Sequence, residues 1–299
     1  MAAPEDDDMK KIGVVGVAGG WSSERLADAL AERTGFRCLA DMKKAHLDLD
    51  RASLVVDETD LGKLDALIVK KVGPRYSPDL LDRLEMLRFV HGQGLPVFSA
   101  PERILRVLDR LSCTVTLRLH GIPMPATVIT ERPEIAARAV ERLGPCILKP
   151  LYSSKARGME VVEPGSELME RLERFHANGN NIIYVQQMLD LPGRDMGVAF
   201  LGGKYLATYA RVNNGNSWNT TIHSGGKYEA YDPSPEVIEL ARRAQEPFGL
   251  DFTCVDVVET KEGPLVFEVS AFGGFRGLLQ ANDIDAAGLY ADYVLEKLA

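Results

Sequence analysis

The sequence predicts an α/β fold that becomes α+β toward the C-terminus, on two observations. From Lys11 onward, short apolar runs alternate with segments whose apolar residues recur at helical spacing, the pattern of strand–helix–strand units. Beyond about residue 196 the apolar runs come in pairs around turn signals, as in "MGVAFLGGKYLATYARV" and "CVDVVETKEGPLVFEVS", which is the pattern of antiparallel hairpins.

Taken in order, "KIGVVGVA" reads as a buried strand. Trp21 to Thr34 reads as a helix with Leu26, Ala29 and Leu30 on one face and Gly35 as its stop. Strands at "SLVV" and "DALIVKK" follow, then a helix from Ser77-Pro78 to about Gly92–Gly94 and a strand at "LPVFS". Pro101 opens a long helix that runs to Gly121. After it come strand "ATVIT", helix "PEIAARAVERLG", strand "CILKP", the polar loop "LYSSKARGM", a further helix and strand "NIIYVQQ". Gly202-Gly203 turns one hairpin, a helix covers Ser234 to Phe248, the acidic hairpin follows, and "DIDAAGLYADYVLEKL" closes the chain as a helix. The expected organisation is a disordered tail over 1–10, a small open α/β domain over 11–100 and a larger unit over 101–299.

With 45% apolar and 26% charged residues, the 299-residue chain has the composition of an ordinary globular protein. Its net charge of −8 argues against general nucleic-acid binding, which needs a basic surface. No apolar run is long enough to span a membrane, and "MAAPEDDDMKK" lacks the apolar centre of a secretory signal. Cys38, Cys113, Cys146 and Cys254 are scattered, with neither a CxxC pair nor a histidine at ligand spacing. They read as core residues in a reducing, cytoplasmic setting.

Two acids interrupt the last hairpin: Asp256 in "CVDVV" and Glu268 in "LVFEV". With the turn at Thr260–Gly263, they are expected opposite each other on one face, where like charges destabilise a sheet and burial adds to the cost. A bound cation removes the conflict, and two carboxylates with no nearby His or Cys suit Mg²⁺ that phosphate also holds. The alternatives are an arginine partner for one acid, or a shifted register. Lys149 ends a strand just before a Ser/Gly loop, a way of offering a point charge and backbone N–H groups to phosphate. Arg211 ends a strand before an Asn/Gly/Ser/Thr-rich segment too polar for core.

In this order the segments "SAPERILRVLDRLSC", "LHGIPMPATVI", "ILKP", "YVQQML", "GRDMG", "ATYARV", "WNTTIHSGG", "LDFTCVDVV" and "GPLVFEVSAFGGFRG" resemble the ATP-grasp superfamily, most closely its RimK-like branch of carboxylate–amine ligases. The resemblance runs from about Leu64 to the C-terminus. It implies an ATP-grasp fold behind a small open α/β domain, with a lid over about 122–187 and a metal and phosphate lobe over about 188–299. It implies ATP and Mg²⁺ as cofactors, and a ligase that joins a small-molecule or peptide carboxylate to an amine through an acyl phosphate.

By position, Lys149 and the Ser153, Ser154 to Gly158 loop would bind the phosphates, together with Arg110. The Gln187 to Leu189 backbone would take adenine and Asp195 the ribose. Arg211 would stabilise the transferring phosphoryl group, Arg276 would lie at the substrate end, and Asp256, Glu268 and Ser270 would hold metal. The chain departs from the pattern at Arg110 (usually Lys), Gln187 (usually Glu), the glycine-poor loop SSKARG, Ser270 (usually Asn) and Gly197 (often Arg). Two other readings stay open: a nucleotide-binding regulatory module with little ligase activity, and phosphoryl transfer to a hydroxyl. A homo-oligomer is compatible with all three. "GVVGVAGG" does not complete a dinucleotide fingerprint, and the lone His223 reads as a loop residue.

Overall fold

The computed structural model describes residues 9–154, 156–213, 220 and 225–299. Residues 1–8 of the expected tail, Lys155 of the phosphate loop, and His223 with most of "WNTTIHSGG" lie outside the described residues.

The first apolar runs build a parallel sheet. Strands β1 (Ile12–Gly16), β2 (Leu39–Asp41), β6 (Ala66–Val69) and β7 (Val97–Phe98) order as β2-β1-β6-β7, with helices α1 (Trp21–Thr34) and α2 (Asp79–Gly92) beside them. The expected strand "SLVV" is β4 (Ser53–Val56), but it leaves this sheet. It pairs antiparallel with β3 (Ala45–Asp48) and β5 (Thr59–Asp60) in a small sheet of its own. Asp57, in the left-handed region at φ 52°, makes the tight β4–β5 turn. Its place in the parallel sheet goes to Leu39–Asp41, three residues too short to show a period.

The long helix expected after Pro101 is two helices, α3 (Pro101–Leu108) and α4 (Arg110–Leu119). Asp109 breaks them apart: its backbone is extended, and its carboxylate accepts from the N–H groups of Leu111 and Ser112 as the cap of α4. The break puts Arg110 in the first turn of α4, where its side chain reaches Glu268 and the carbonyls of Pro150 and Ser153.

The segment expected as a lid has its own core. Strands β8 (Thr127–Thr130), β9 (Cys146–Leu148), β10 (Glu160–Val162) and β11 (Ile183–Gln187) form an antiparallel sheet ordered β10-β9-β11-β8. Helices α5 (Pro133–Leu143) and α6 (Leu168–Ala177) enclose Val140, Leu148, Val162, Leu172 and Ile183 against it.

The hairpins form a five-stranded antiparallel sheet, β14-β13-β12-β15-β16. Its strands are β12 (Arg194–Leu201), β13 (Lys204–Val212), β14 (Lys227–Ala230), β15 (Phe252–Thr260) and β16 (Gly263–Ser270). Gly202 and Gly203, both at positive φ, turn the β12–β13 hairpin as expected. One face of the sheet, with Met196, Val198, Val255, Val257 and Val269, is fully packed in a core that α3, α4 and α7 (Pro235–Gln245) also enter. At the far end of the other face, Ala199, Ala207 and Phe252 join Val14 of the first sheet, Leu26 of α1, Phe275 of α8 (Phe275–Asn282) and Tyr290 of α9 (Ala286–Leu298) in a second core. The remainder of that face is open and forms the floor of a cleft. Among the described residues no helix is long and apolar enough to cross a membrane.

Candidate active site

Register places the site. Asp195 pairs with Arg211, Gly197 with both Tyr209 and Asp256, Asp256 with Glu268, and Cys254 with Ser270. Because side chains alternate along a strand, all of these project from the one open face. They floor a cleft of about 770 Å³ that Lys149, Gln186 and Gln187 of the lid and Trp21 and Ser22 of α1 also line.

Asp256 and Glu268 do stand opposite each other, for a reason the turn does not supply. Counted from Thr260↔Gly263, the ladder runs to Val257↔Val266, which would bring Phe267 opposite Asp256 and turn Glu268 to the packed face. A β-bulge leaves Phe267 as an extra residue and advances β16 by one, so that Glu268 faces the cleft. Nor is Glu268 buried, as the sequence suggested: its side chain is 42% exposed against 19% for Asp256.

Each acid has an arginine. Arg110 Nη1 donates to Glu268 Oε2 at 3.1 Å, while its other nitrogens donate to the carbonyls of Pro150 and Ser153. Arg211 lies 3.0 Å from Asp256 and forks onto Asp195, which also accepts from the Thr220 hydroxyl. Burial alone would pull Arg211 down, but the carboxylates of Asp195 and Asp256 hold it well above its usual value. Burial pushes the Asp256 carboxyl up to about 7 against the pull of Arg211, with Glu268 and Asp195 adding to the rise. Asp195, expected at the ribose, is 5% exposed and committed to Arg211. Its carboxylate holds the Arg211 fork.

Lys149 follows β9 and is 8% exposed. Its ammonium donates to Gln186 Oε1 at 2.5 Å, and Gln186 in turn donates to Thr127 and Tyr184. Burial, with Arg110 nearby, draws Lys149 down to about 7. Ser154 and Ala156 line the cleft, whereas Ser153 turns its hydroxyl to Pro150 O and Gly158, at φ 69°, serves the bend of the loop. At the hinge the N–H groups of Gln187 and Met188 are taken by Ala126 O and Pro145 O. Leu189 lines the cleft with Ile147, Met159 and Leu191, an apolar slot suited to a flat base. Arg276 lies at the opposite end with its guanidinium 5.1 Å from the Trp21 ring.

The donor set fits Mg²⁺ brought in by a nucleotide. Among the described residues no group of three or more His, Cys, Asp or Glu is placed to hold a metal. The protein therefore offers two carboxylates, and phosphate oxygens and water must supply the rest. Cys254, on the same face, is no competitor, since burial pushes its thiol up to about 12. Ser270 sits beside Glu268, its hydroxyl accepting from the Phe272 N–H at 3.2 Å.

Residues 107–294 match the model of the RimK-like ATP-grasp domain. The chain belongs to the RimK-like ATP-grasp family. It is 26% identical to a tetrahydromethanopterin:alpha-L-glutamate ligase of Methanosarcina acetivorans, over 97% of this chain and 99% of that one. Its fold matches the ATP-grasp ligase PsnB in complex with a phosphomimetic variant of its minimal precursor, Mg and ADP, with a TM-score of 0.76, 21% identity and coverage of 97% and 99%. It matches a RimK domain protein of Sphaerobacter thermophilus at 0.73 and 24%, covering 95% and 98%. The protein is an ATP-dependent ligase that forms a C–N bond, with ATP and Mg²⁺ as cofactors.

Within this RimK-like chain, Gly197 has a packing reason: a Cβ there would meet the Tyr209 ring at 2.3 Å. An arginine is excluded while that ring lies across the sheet. Sequence reasoning missed Gln186, one residue before the glutamine it chose. Strict alternation along β11 would have pointed Gln186 and Tyr184 the same way. It also missed Trp21, Ser22 and Tyr228, whose places in the cleft depend on tertiary packing.

Mg-ATP should raise the melting temperature by mass action, and Lys149→Ala should remove most of that shift. The lowered value of Lys149 adds a sign. With a value drawn down to about 7, the free lysine would be largely neutral near pH 8, and phosphates bound against it would restore its charge. Binding should then take up a proton, seen by calorimetry in buffers of different ionisation heat and missing in Lys149→Met. Protons released at Asp256 are common to both proteins. Equal uptake by the two would remove Lys149 from the phosphate site.

Proposed function

We propose that this ligase activates a substrate carboxylate as an acyl phosphate and transfers the acyl group to the amine of an amino acid of glutamate's class. What carries the reading is the single sheet face on which Asp256 and Glu268 oppose each other beside Arg211, with Lys149 facing them from the lid. Three carboxylates there (Asp195, Asp256, Glu268) are met by the guanidiniums of Arg110 and Arg211. A nucleotide polyanion entering among those acids brings a divalent cation that lowers the cost of its entry.

A carboxylate oxygen attacks the γ-phosphorus, the bond to the β,γ-bridging oxygen breaks, and ADP leaves. The guanidinium of Arg211, held by Asp195, neutralises charge on the phosphoryl oxygens as this happens. Asp256 and Glu268 would hold Mg²⁺, which supplies charge compensation at the phosphates when bound. The amine nitrogen then attacks the acyl carbon, the carbon–oxygen bond to phosphate breaks, and the nitrogen loses a proton to leave the amide. A closed lid keeps water from the acyl phosphate. The amine class is supported by the glutamate ligase that this chain resembles along nearly its full length.

The test uses ¹⁸O. Pooled amino acids, peptides and pterin-like acids are screened for ADP release and product mass, and the accepted acid is then labelled in its carboxylate. One label should appear in released phosphate. Product formed without labelled phosphate would overturn the acyl-phosphate step, and phosphate retained on the product would favour transfer to a hydroxyl.

A further inference from the structure

Lys70, the residue after β6, is 1% exposed and no part of the mechanism above uses it. Its ammonium leaves the first sheet and reaches the loop after β16, donating to the carbonyls of Phe272 at 3.1 Å and Gly273 at 3.4 Å. It also lies 3.7 Å from the centre of the Phe275 ring and 5.4 Å from that of Phe252. A methionine would fill such a place without the desolvation of an ammonium, so the donors themselves need a reason. Burial, with Lys71 beside it, draws Lys70 down to about 7, and either protonation state keeps N–H donors for both carbonyls.

The two carbonyls belong to the segment Phe272-Gly273-Gly274. Glycine peptides reorient at little steric cost, and Gly274 already sits at φ 93°. Among the described residues no peptide bond is cis. In a trans peptide the C=O and the N–H point in opposite directions. Tying back the carbonyls of Phe272 and Gly273 therefore turns the N–H groups of Gly273 and Gly274 away from Lys70. Both glycines line the cleft, with Ser270 and Glu268 just before them and Arg276 just after.

We propose that Lys70 is a positioning residue for the ligation reaction: anchored in the N-terminal sheet, it fixes the Phe272–Gly274 peptides so that two backbone N–H groups face the acyl oxygen as charge builds on it. This rests on the acyl-phosphate reading. Oxyanion donors act only when preorganised, and removing one costs on the order of a hundredfold in turnover. Loosening two should cost about tenfold to a hundredfold. Nucleotide binding does not use these groups.

The experiment compares full-length wild type, Lys70→Met and Lys70→Arg in hydroxamate formation, with hydroxylamine as the amine and the same acid pool, alongside calorimetric binding of Mg-ADP. Lys70→Met should lose tenfold or more in kcat, with the KM for ATP and the affinity for Mg-ADP within about twofold of wild type. A merely structural role would lower the folded fraction and leave kcat per folded enzyme unchanged, and that result overturns the proposal. Should Lys70→Met not fold, Lys70→Arg decides: the charge stays while the donor geometry changes, so a fall in kcat at constant Mg-ADP affinity supports the proposal and an unchanged kcat ends it. Wild type that binds Mg-ADP but makes no hydroxamate sinks the acyl-phosphate reading and this inference together. Hydroxamate made equally by all three proteins sinks the inference alone.

Discussion

Glu268→Gln should leave the fold standing and cut turnover by on the order of a hundredfold or more, equivalent to several kcal/mol of transition-state stabilisation. The two halves of that expectation come from different parts of the geometry. Stability should barely move. The Glu268 side chain is 42% exposed, a setting in which an ion pair contributes roughly 0–1 kcal/mol. A glutamine oxygen still accepts from Arg110, which keeps its bonds to Pro150 O and Ser153 O. Activity should collapse because, on the proposed metal role, one of the two carboxylates that would hold Mg²⁺ is lost. Thermal unfolding without nucleotide and ADP release across a Mg²⁺ titration measure the two effects. A melting temperature lowered by several degrees with normal turnover would make the Arg110–Glu268 pair structural and end the metal reading.

The hairpin shows how far sequence reasoning carries. The opposition of Asp256 and Glu268 was legible, because a two-residue turn and strand alternation narrow the register to a choice of two. The bulge at Phe267 that decides between them was not, since nothing in "PLVFEV" marks one residue as extra. The open α/β start, strands β8, β9 and β11 and the Gly202-Gly203 hairpin followed from local periodicity and turn chemistry. Strands β2, β10 and β14, each of three or four residues, were too short to carry a period and exist because a neighbour pairs with them. By periodicity Asp109 falls mid-helix, although its side chain is equally suited to cap a new one. Lys70 could not have been read at all. Its partners are carbonyls about 200 residues away, and backbone carbonyls leave no trace in sequence.

Arg211→Met and Asp195→Asn should separate a catalytic residue from the group that aims it. Among the described residues Arg211 is the one guanidinium that reaches both Asp195 and Asp256, and Arg211→Met takes from Asp195, its side chain 7% exposed, the cation paired with it. Breaking a buried pair in this way costs ~3–5 kcal/mol of stability, and losing an arginine that stabilises a phosphoryl transition state costs about a thousandfold or more in turnover. Asp195→Asn is milder. Arg211 keeps its charge and its 3.0 Å contact with Asp256 but loses the carboxylate that orients its fork. Turnover should fall by about tenfold to a hundredfold. Mg-ADP affinity should stay within about twofold, because the Asp195 carboxylate is spent on Arg211 and Thr220. The ribose role that the family resemblance implied makes the reverse prediction: Mg-ADP should bind more weakly to Asp195→Asn, and 2′-deoxy- and 3′-deoxy-ADP should bind wild type as weakly as ADP binds the variant. In the double variant the turnover losses should not add, since an asparagine at 195 cannot misdirect an arginine that is gone. Additive losses with weakened ADP binding would return Asp195 to the nucleotide and leave Arg211 to be oriented by Asp256 alone.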